Sequence, residues 1–304
     1  GLGVDISIIV PHLNQPGPLD KALASIFAQD LDMSRCEVIV VDNGSRELPE
    51  AIVARYPGAR LAVSETPGPG PARNRGVQLA QAPILAFTDA DCIVDPGWAS
   101  AILARFSADP DLQIIGGDVR ILIEGSKPPT VAEAYEMVYA FPQRRYIEKQ
   151  NFSGAGNLAM RREVFRKVGP FAGIEISEDT DWGHRATRLG YRIVYAPEMV
   201  VYHPPRRTLA EIYVKWDRNI CHHFRAFAAT PAGKVKWFTK ALALSISPLI
   251  ELPRILGSRR ITGVGTRWRA FKALSAIRLY RARQMLAIMI RANRTEIPGV
   301  QWNR

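Results

Sequence analysis

Short apolar runs, each ending in polar or acidic residues, constrain the fold of this chain more than any other feature. The runs with the length and residue types of buried strands are residues 6–10, 36–41, 60–63 and 84–87. Helix-like stretches at residues 19–28 and 48–56 lie between them. Alternating strands and helices predict an α/β fold with a mixed, mostly parallel, Rossmann-like sheet flanked by helices.

The run at residues 84–87 is followed at once by two carboxylates, Asp89 and Asp91. Carboxylates at the end of a buried strand need a cation or strong donors, because unpaired charge beside an apolar core is costly. A divalent cation shared with a phosphate would satisfy them, and ligands of open α/β sheets bind at this edge. The alternative is that Asp89 begins a turn and Asp91 caps the next helix.

Composition and charge limit the function classes. The 304 residues, 47% hydrophobic and 23% charged, are typical of a globular protein with one large domain and an appendage, or two domains. The scattered cysteines Cys36, Cys92 and Cys221 indicate a reducing compartment and no zinc site, and no signal peptide is expected. Residues 204–304 carry 20 Lys+Arg against 4 Asp+Glu, so this part is expected to meet a polyanion, either anionic lipid or nucleic acid.

The glycine- and proline-rich segment at residues 66–76, TPGPGPARNRG, is predicted to start without regular structure and then to enter a helix. Arg73 and the helix N-terminal amides could face an anion together, or Arg73 could be a solvated surface residue. The chain has no GxxxxGK[ST] loop and no GxGxxG after its first strand, which disfavours kinase-like and dinucleotide-binding functions.

Six motifs follow one another within about residues 5–203, namely VP before Asn14, VVDNGS, GPARNRG, FTDAD, SGAGNLAM and SEDTDW. In this order they resemble the motifs of the inverting nucleotide-sugar glycosyltransferases of family two, which have the GT-A fold.

The resemblance implies a donor site. The residues that would contact the nucleotide sugar are Pro11, Asn14, Asp42, Arg73, Asp89 and Asp91. Asp91 would hold Mn²⁺ or Mg²⁺ on the donor diphosphate, with His203 as a further candidate ligand, and the ion would stabilise the departing nucleoside diphosphate. Asp42 could instead close an Asx turn, and His203 could be an ordinary hydrogen-bonded histidine.

The resemblance also implies an acceptor site. The residues that would line it are Gly156, Asn157, Glu178 and Trp182. Asp179 would be the catalytic base, and repulsion among Glu178, Asp179 and Asp181 is expected to raise the pKa of one carboxyl. The alternatives are an acidic first helical turn capped by Ser177 and a core position for Trp182.

The predicted organisation is a catalytic domain at residues 1–203, with a donor half to about residue 118 and an acceptor half at 119–203. A basic, helical extension follows at residues 204–304. The QxxRW signature of the family's processive synthases is absent, and KWDRN at 215–219 resembles it at best distantly. This predicts transfer of one sugar. The resemblance implies a role in bacterial surface polysaccharide or glycolipid synthesis. Arg218, His222 and His223 are expected over the donor phosphates.

The extension contains an apolar stretch at residues 237–256, interrupted by Pro248 and Pro253, and an amphipathic basic stretch at 271–294. Together they predict a cytoplasmic protein with peripheral contact with an anionic membrane, on the inner face of the plasma membrane, and a hydroxyl acceptor that could be a lipid-linked saccharide. The alternative is a helical pair packed on the core with a solvated basic face.

Two other function classes stay open. A nucleic-acid-binding protein would use the basic tail with its tryptophans, Trp216, Trp237, Trp268 and Trp302. No nucleic-acid partner is expected, because the chain has no such motif. A sugar nucleotidyltransferase would need a glycine-rich, Arg-containing loop where this chain has HLNQPGP. The sequence does not predict an oligomeric state.

Overall fold

The computed structural model describes residues 3–292, and within them eight strands form a single mixed sheet in the order β3-β2-β1-β4-β7-β6-β8-β5. The strands are β1 (Ile6–His12), β2 (Cys36–Asp42), β3 (Ala59–Val63), β4 (Ile84–Thr88), β5 (Ile93–Val94), β6 (Ile114–Ile121), β7 (Asn157–Arg161) and β8 (Ile193–His203). The helices are α1 (Pro16–Phe27), α2 (Glu50–Ala54), α3 (Pro69–Leu79), α4 (Trp98–Ala108), α5 (Val131–Tyr139), α6 (Gln143–Gln150), α7 (Arg162–Val168), α8 (Glu178–Arg188), α9 (Leu209–Phe227), α10 (Pro231–Ile246), α11 (Pro248–Gly257) and α12 (Val264–Ala292).

The strands β1, β2, β3 and β4 run parallel to one another. β1 pairs in parallel with β2 and β4, and β2 pairs in parallel with β3, while β7 runs antiparallel to β4 and β6. The predicted mixed, mostly parallel sheet is therefore confirmed. The carboxyl ends of β1, β2 and β4 share one edge, and the acids that follow β4 lie there.

Side chains that alternate along each strand build a core on both faces of the sheet. Ile8 and Val10 of β1 join one apolar cluster, packed with residues of α1 and α4 such as Trp98. Ile9, between them in sequence, joins the opposite cluster with Ala72 of α3. This alternation follows from the two-residue period of a strand, and it fixes the register in which β1 pairs with its neighbours.

Helix α3 begins earlier than the sequence predicted. The helix includes Pro69 and Pro71, although this stretch was expected to lack regular structure. The prediction was wrong because the backbone N–H groups of the first helical turn have no acceptor within the helix, so proline, which lacks this group, is tolerated there. Gly68 at the N-cap has a φ of 116°, which suits glycine. A Cβ on Gly70 would lie 2.1 Å from the carbonyl oxygen of Ala172, so this turn sits tightly against the chain before α8.

The chain divides into two compact units. The first contains the described residues up to Leu122 together with Phe141–Pro204, and the second contains Ile123–Ala140 together with the described residues from Pro205 onward. The predicted boundary after residue 203 differs in one respect, since residues 123–140 belong to the second unit. Tyr135 of α5 packs there with Ile212 and Leu274, so the apolar face of α5 is covered by α9 and α12.

The second unit is helical, and its apolar stretch is divided at Pro248 as predicted, whereas Pro253 lies inside α11 and does not end it. α10 ends at Ile246 and α11 begins at Pro248. No helix between residues 3 and 292 has both the length and the apolar character needed to cross a bilayer. The expected basic face of residues 271–294 is only partly present. Arg278 pairs with Glu251 and Arg281 lies over the Trp216 ring, because α12 packs on its neighbours along that side. Arg294 and Trp302 lie outside the described residues.

Candidate active site

Asp89 and Asp91 follow β4 directly, at the edge of the sheet where the parallel strands end. The Asp89 carboxylate accepts a hydrogen bond from Arg73 at 3.0 Å and keeps 34% of its side chain exposed. Gly156 lies against it, because a Cβ at that position would come within 2.8 Å of Asp89 Oδ2. The structure therefore places Gly156, predicted for the acceptor side, in contact with the acidic pair.

Arg73 links two acidic motifs that are far apart in sequence. Its guanidinium donates to Asp89 and to Glu178, each at 3.0 Å, and Glu178 is 105 residues away. Burial lowers the pKa of Arg73, but the negative charges of Asp89 and Glu178 outweigh this and raise it. The residue is 4% exposed, so the solvated alternative is wrong. The anions that this arginine contacts are the protein's own carboxylates.

Replacing Arg73 with methionine is expected to lower the free energy of unfolding by about 3 kcal/mol, because both carboxylates would lose their cation. Arg75→Met is the matched control, since Arg75 is exposed and contacts only Gln78 among the described side chains. Urea unfolding of both variants measures the difference. Equal stability of the two variants would show that the bridge contributes nothing.

Asp91 and His203 meet although they are distant in sequence. His203 Nε2 lies 3.6 Å from Asp91 Oδ2, and both side chains are 24% exposed. His203 Nδ1 lies 2.7 Å from the carbonyl oxygen of Pro204, which can only accept, so Nδ1 carries the proton. In the neutral imidazole the lone pair is then on Nε2, which faces the Asp91 carboxylate, the arrangement that a bound cation requires.

Cys92 completes this cluster, since a ligand atom from each of Asp91, Cys92 and His203 lies within 4.8 Å of the others. Burial, together with the charges of Asp89 and Asp91, raises the pKa of the Cys92 thiol well above its usual value. The thiol therefore stays protonated and is a poor metal ligand. The donor set that fits a hard cation is the Asp91 carboxylate with the His203 imidazole.

The third acidic cluster lies in the first turn of α8. Asp179 Oδ1 accepts hydrogen bonds from the Ser177 hydroxyl at 2.9 Å and the Thr180 amide at 2.8 Å. Asp181 pairs with Arg185 at 2.9 Å, and Glu178 pairs with Arg73. Two of the three acids thus have an arginine partner, which offsets the mutual repulsion expected from the sequence.

Tyr146 of α6 lies within electrostatic range of this cluster. Burial raises the pKa of Tyr146, and the negative charge of Asp179 raises it further. The phenol therefore stays neutral and can donate a hydrogen bond beside Asp179.

At the carboxyl ends of β1 and β2, hydrogen bonds within the protein occupy the Asp42 carboxylate. The Asp42 carboxylate is fully buried and bonds to His12 Nδ1 at 2.9 Å and to the Gly44 and Ser45 amides. Burial tends to raise the pKa of Asp42, but the bonds from Ser45 and His12 outweigh it, so the pKa is lowered. Asp42 therefore closes an Asx turn, which is the alternative that the sequence left open. To contact a nucleotide, Asp42 would have to give up one of these hydrogen bonds.

The other two residues predicted for the nucleotide pocket in this region differ in exposure. Pro11 is buried inside β1. Asn14 is exposed, has a φ of 52°, and accepts a hydrogen bond from the Arg46 amide. Asn14 therefore joins the loops after β1 and β2 and is the member of this pair that a ligand can reach.

Two residues predicted to bind the acceptor are structural. Asn157 is fully buried, accepts from the Trp98 indole, and donates to the carbonyls of Asp118 and Met199. Trp182 is 1% exposed and packs against Phe165 and Phe171. Both predictions were wrong, because side chains whose groups are satisfied in the core have no surface left for a sugar.

Comparison with known proteins decides the family. The sequence profile of Glycosyl transferase family 2 matches residues 7–169. The chain belongs to glycosyltransferase family 2. Glycosyltransferase AglE of Haloferax volcanii is 31% identical to this family 2 enzyme over 207 residues, which are 66% of this chain and 67% of the relative. Validoxylamine A glucosyltransferase of Streptomyces hygroscopicus subsp. jinggangensis is 25% identical over 222 residues, 62% of this chain and 51% of the relative.

Solved structures similar to this family 2 enzyme share its fold. Mannosyltransferase PcManGT from Pyrobaculum calidifontis, in complex with GDP-Man and Mn²⁺, has a TM-score of 0.57 at 18% identity, covering 95% of this chain and 88% of that one. S. aureus TarS 1-349 with UDP-GlcNAc has a TM-score of 0.52 at 16% identity, covering 96% and 92%. These likenesses establish the GT-A fold that the sequence predicted. Family membership also sets aside the sugar nucleotidyltransferase alternative.

Sequence reasoning missed one side chain and one contact in this family 2 enzyme. His12 closes the Asp42 turn, and no spacing in the sequence signals that contact. Arg73 was identified, but not its bridge to Glu178, because the contact depends on how α3 and α8 meet.

A cavity of about 560 Å³ lies at the far end of α8 and is lined by Glu148, Asn151, Tyr191 and Arg192 among others. None of the predicted site residues lines it. The candidate active site is therefore identified by its side-chain chemistry and not by this cavity.

Proposed function

We propose that this enzyme moves one sugar from a nucleotide-diphosphate donor, with a UDP-sugar as the first candidate, to a hydroxyl acceptor with inversion at the anomeric carbon. The observation that carries the proposal is the pairing of Asp91 with His203 beside the Arg73-bridged acids at the end of β4. Asp91 supplies negative charge for a cation, and Asp179, the neighbour of Glu178 in sequence, supplies a carboxylate as base, both of which nucleotide-sugar transfer requires.

Asp91 and His203 would hold Mn²⁺ or Mg²⁺. When bound, the ion supplies a Lewis acid for the departing diphosphate. Two protein ligands leave the remaining coordination positions to phosphate oxygens and water, as is usual for a cation shared with a substrate. The Mn²⁺ in the PcManGT complex supports a metal requirement.

Asp179 would act as the general base. Among residues 3–292 it forms no ion pair, in contrast to Glu178 and Asp181, so its carboxylate can take a proton from an acceptor hydroxyl. That hydroxyl oxygen then bonds to the anomeric carbon while the bond from this carbon to the diphosphate oxygen breaks on the opposite face. Inversion follows from attack and departure on opposite faces.

The donor class is tested with a panel of UDP-, GDP- and dTDP-sugars, using a simple glycoside as acceptor and proton NMR of the product. Turnover of one donor class, with the anomeric configuration reversed from that of the donor, supports the proposal. A product that keeps the donor's configuration would contradict inversion. Release of nucleotide without any glycosidic product would leave Asp179 without its proposed role.

The second unit would dock on an anionic membrane, which would bring a lipid-linked saccharide acceptor to the enzyme. One face of α10 and α11 exposes large apolar side chains, namely Val235, Phe238, Leu242, Ile246, Leu249 and Ile250, at 43–76%. α10 also carries Lys234, Lys236 and Lys240 and no acid, so its charge complements an anionic leaflet. This surface fits an enzyme that docks on the inner face of the plasma membrane and acts in surface glycan or glycolipid synthesis.

The position of Arg218, His222 and His223 over the donor phosphates stays a prediction.

Replacing both Leu249 and Ile250 with serine is expected to weaken binding to vesicles containing phosphatidylserine by about a hundredfold, because each side chain contributes about 1.5 kcal/mol when buried in lipid. Sedimentation with vesicles measures the loss. Leu48→Ser, an exposed leucine of the first unit, is the control and should bind as the wild type does. Unchanged sedimentation of the double variant would contradict docking by this face.

A further inference from the structure

Cations from α9 and α12, with one from the segment before α9, gather around Trp216 in the second unit. The Arg281 guanidinium lies 3.6 Å from the centre of the Trp216 ring, and Lys215 Nζ lies 5.7 Å from the same ring. Arg206 lies close to Lys215, where its positive charge acts on that residue, and pairs with Glu136 of α5 at 3.3 Å. Glu136 is thus the neighbouring carboxylate of both Arg206 and Lys215.

Two of these cations have no counterion in the described part of the chain. Among residues 3–292, neither Lys215 nor Arg281 forms an ion pair, and Arg281 Nε is buried without a hydrogen-bond partner. Arg278, three residues earlier on α12, is paired with Glu251 at 3.3 Å. Partly buried cations without a partner are unfavourable, so the site lacks an anion.

The electrostatics of the cluster agree with this deficit. Burial lowers the pKa of Lys215, the positive charges of Arg206 and Arg281 lower it further, and the negative charge of Glu136 offsets only part of this. Burial also lowers the pKa of Arg281 to about 10. An anion placed among these groups would relieve both the desolvation and the repulsion.

We propose that Arg206, Lys215 and Arg281 form a binding site for a phosphate or diphosphate group in the second unit. Arginine and lysine donors match phosphoryl oxygens, and stacking on Trp216 holds the Arg281 guanidinium in a fixed orientation. The three positive charges against Glu136 favour a multiply charged anion over a single carboxylate. The diphosphate can belong to a nucleotide or to a lipid carrier. This site goes beyond the proposed function, because none of its residues belongs to the proposed donor site.

Titration with inorganic pyrophosphate in the presence of EDTA tests the site, since chelation removes the cation on which the donor site depends. Calorimetry is expected to show binding to the wild type and to Asp91→Asn. Lys215→Met and Arg281→Met should each weaken it tenfold or more. Lys272→Met is the matched control, because Lys272 lies 5.6 Å from the Trp268 ring but is exposed, and it should bind as the wild type does.

A second readout separates binding from a structural role. Without pyrophosphate, Lys215→Met should not lower the Tm, because among the described residues the lysine forms no ion pair that the substitution would break. The rise in Tm caused by pyrophosphate should disappear. Farnesyl diphosphate and UDP in the same EDTA buffer distinguish a lipid source from a nucleotide source by which of them depends on Lys215. Absence of pyrophosphate binding by the wild type, or equal affinity in the wild type and both methionine variants, would overturn the proposal.

Discussion

Replacing Asp91 with asparagine is expected to lower the rate of sugar transfer about a hundredfold or more. Asparagine keeps the size of the side chain but removes the charge that would hold a cation beside His203. Metal stabilisation of a leaving group contributes several kcal/mol, and each 1.36 kcal/mol changes a rate tenfold. Initial rates at a fixed Mn²⁺ concentration measure the loss.

The control for this variant is Asp95→Asn. Asp95 also follows a strand in this region, but its carboxylate accepts hydrogen bonds from the Gly97 amide and, at 3.4 Å, from the Tyr202 hydroxyl, and it is not one of the proposed metal ligands. The rate of sugar transfer by Asp95→Asn should stay within about twofold of the wild-type rate, because such hydrogen bonds contribute little to stability. EDTA should reduce the wild-type rate towards that of Asp91→Asn and change the variant little. A full rate for Asp91→Asn would rule out its role.

Replacing Asp179 with asparagine is expected to lower kcat by about 10²- to 10⁴-fold, the usual contribution of a general base. The KM for the donor should change little, because Asp179 would act on the acceptor hydroxyl. Asparagine can still accept the bonds from Ser177 and Thr180, so the first turn of α8 should persist. Steady-state kinetics with the donor and the acceptor varied in turn separates these effects.

The matched variant is Asp181→Asn, two residues along the same helix. Asp181 is half-buried and pairs with Arg185, so its loss is expected to cost at most about 1 kcal/mol of stability and little of the rate. If Asp181→Asn lost as much activity as Asp179→Asn, the acidic turn would matter as a whole and Asp179 would not be the base.

The sheet and the position of the acidic pair were predictable because their causes are local. A buried strand needs only an apolar run of the right length, and Asp89 and Asp91 follow that run in sequence. Parallel topology then places them at the ligand-binding edge. The meeting of Asp91 and His203 was expected from family resemblance alone, since the two residues are far apart in sequence.

The errors have a common physical origin in tertiary packing. Asn157 and Trp182 are of residue types that bind sugars, and only the fold shows that their polar groups are satisfied inside the core. α5 joins the second unit because α9 and α12 cover its apolar face. No pattern in the sequence of α5 identifies the helices that cover it.

Metal-dependent nucleotide binding is the property on which the proposed donor site depends most directly. Calorimetric titration of UDP, GDP and dTDP, with and without Mn²⁺, on the wild type and on Asp91→Asn measures it. Binding of one nucleotide that requires Mn²⁺ and is lost in Asp91→Asn is the expected result. Nucleotide binding that is the same with and without Mn²⁺, or that Asp91→Asn retains in full, would contradict a donor site built on Asp91 and His203.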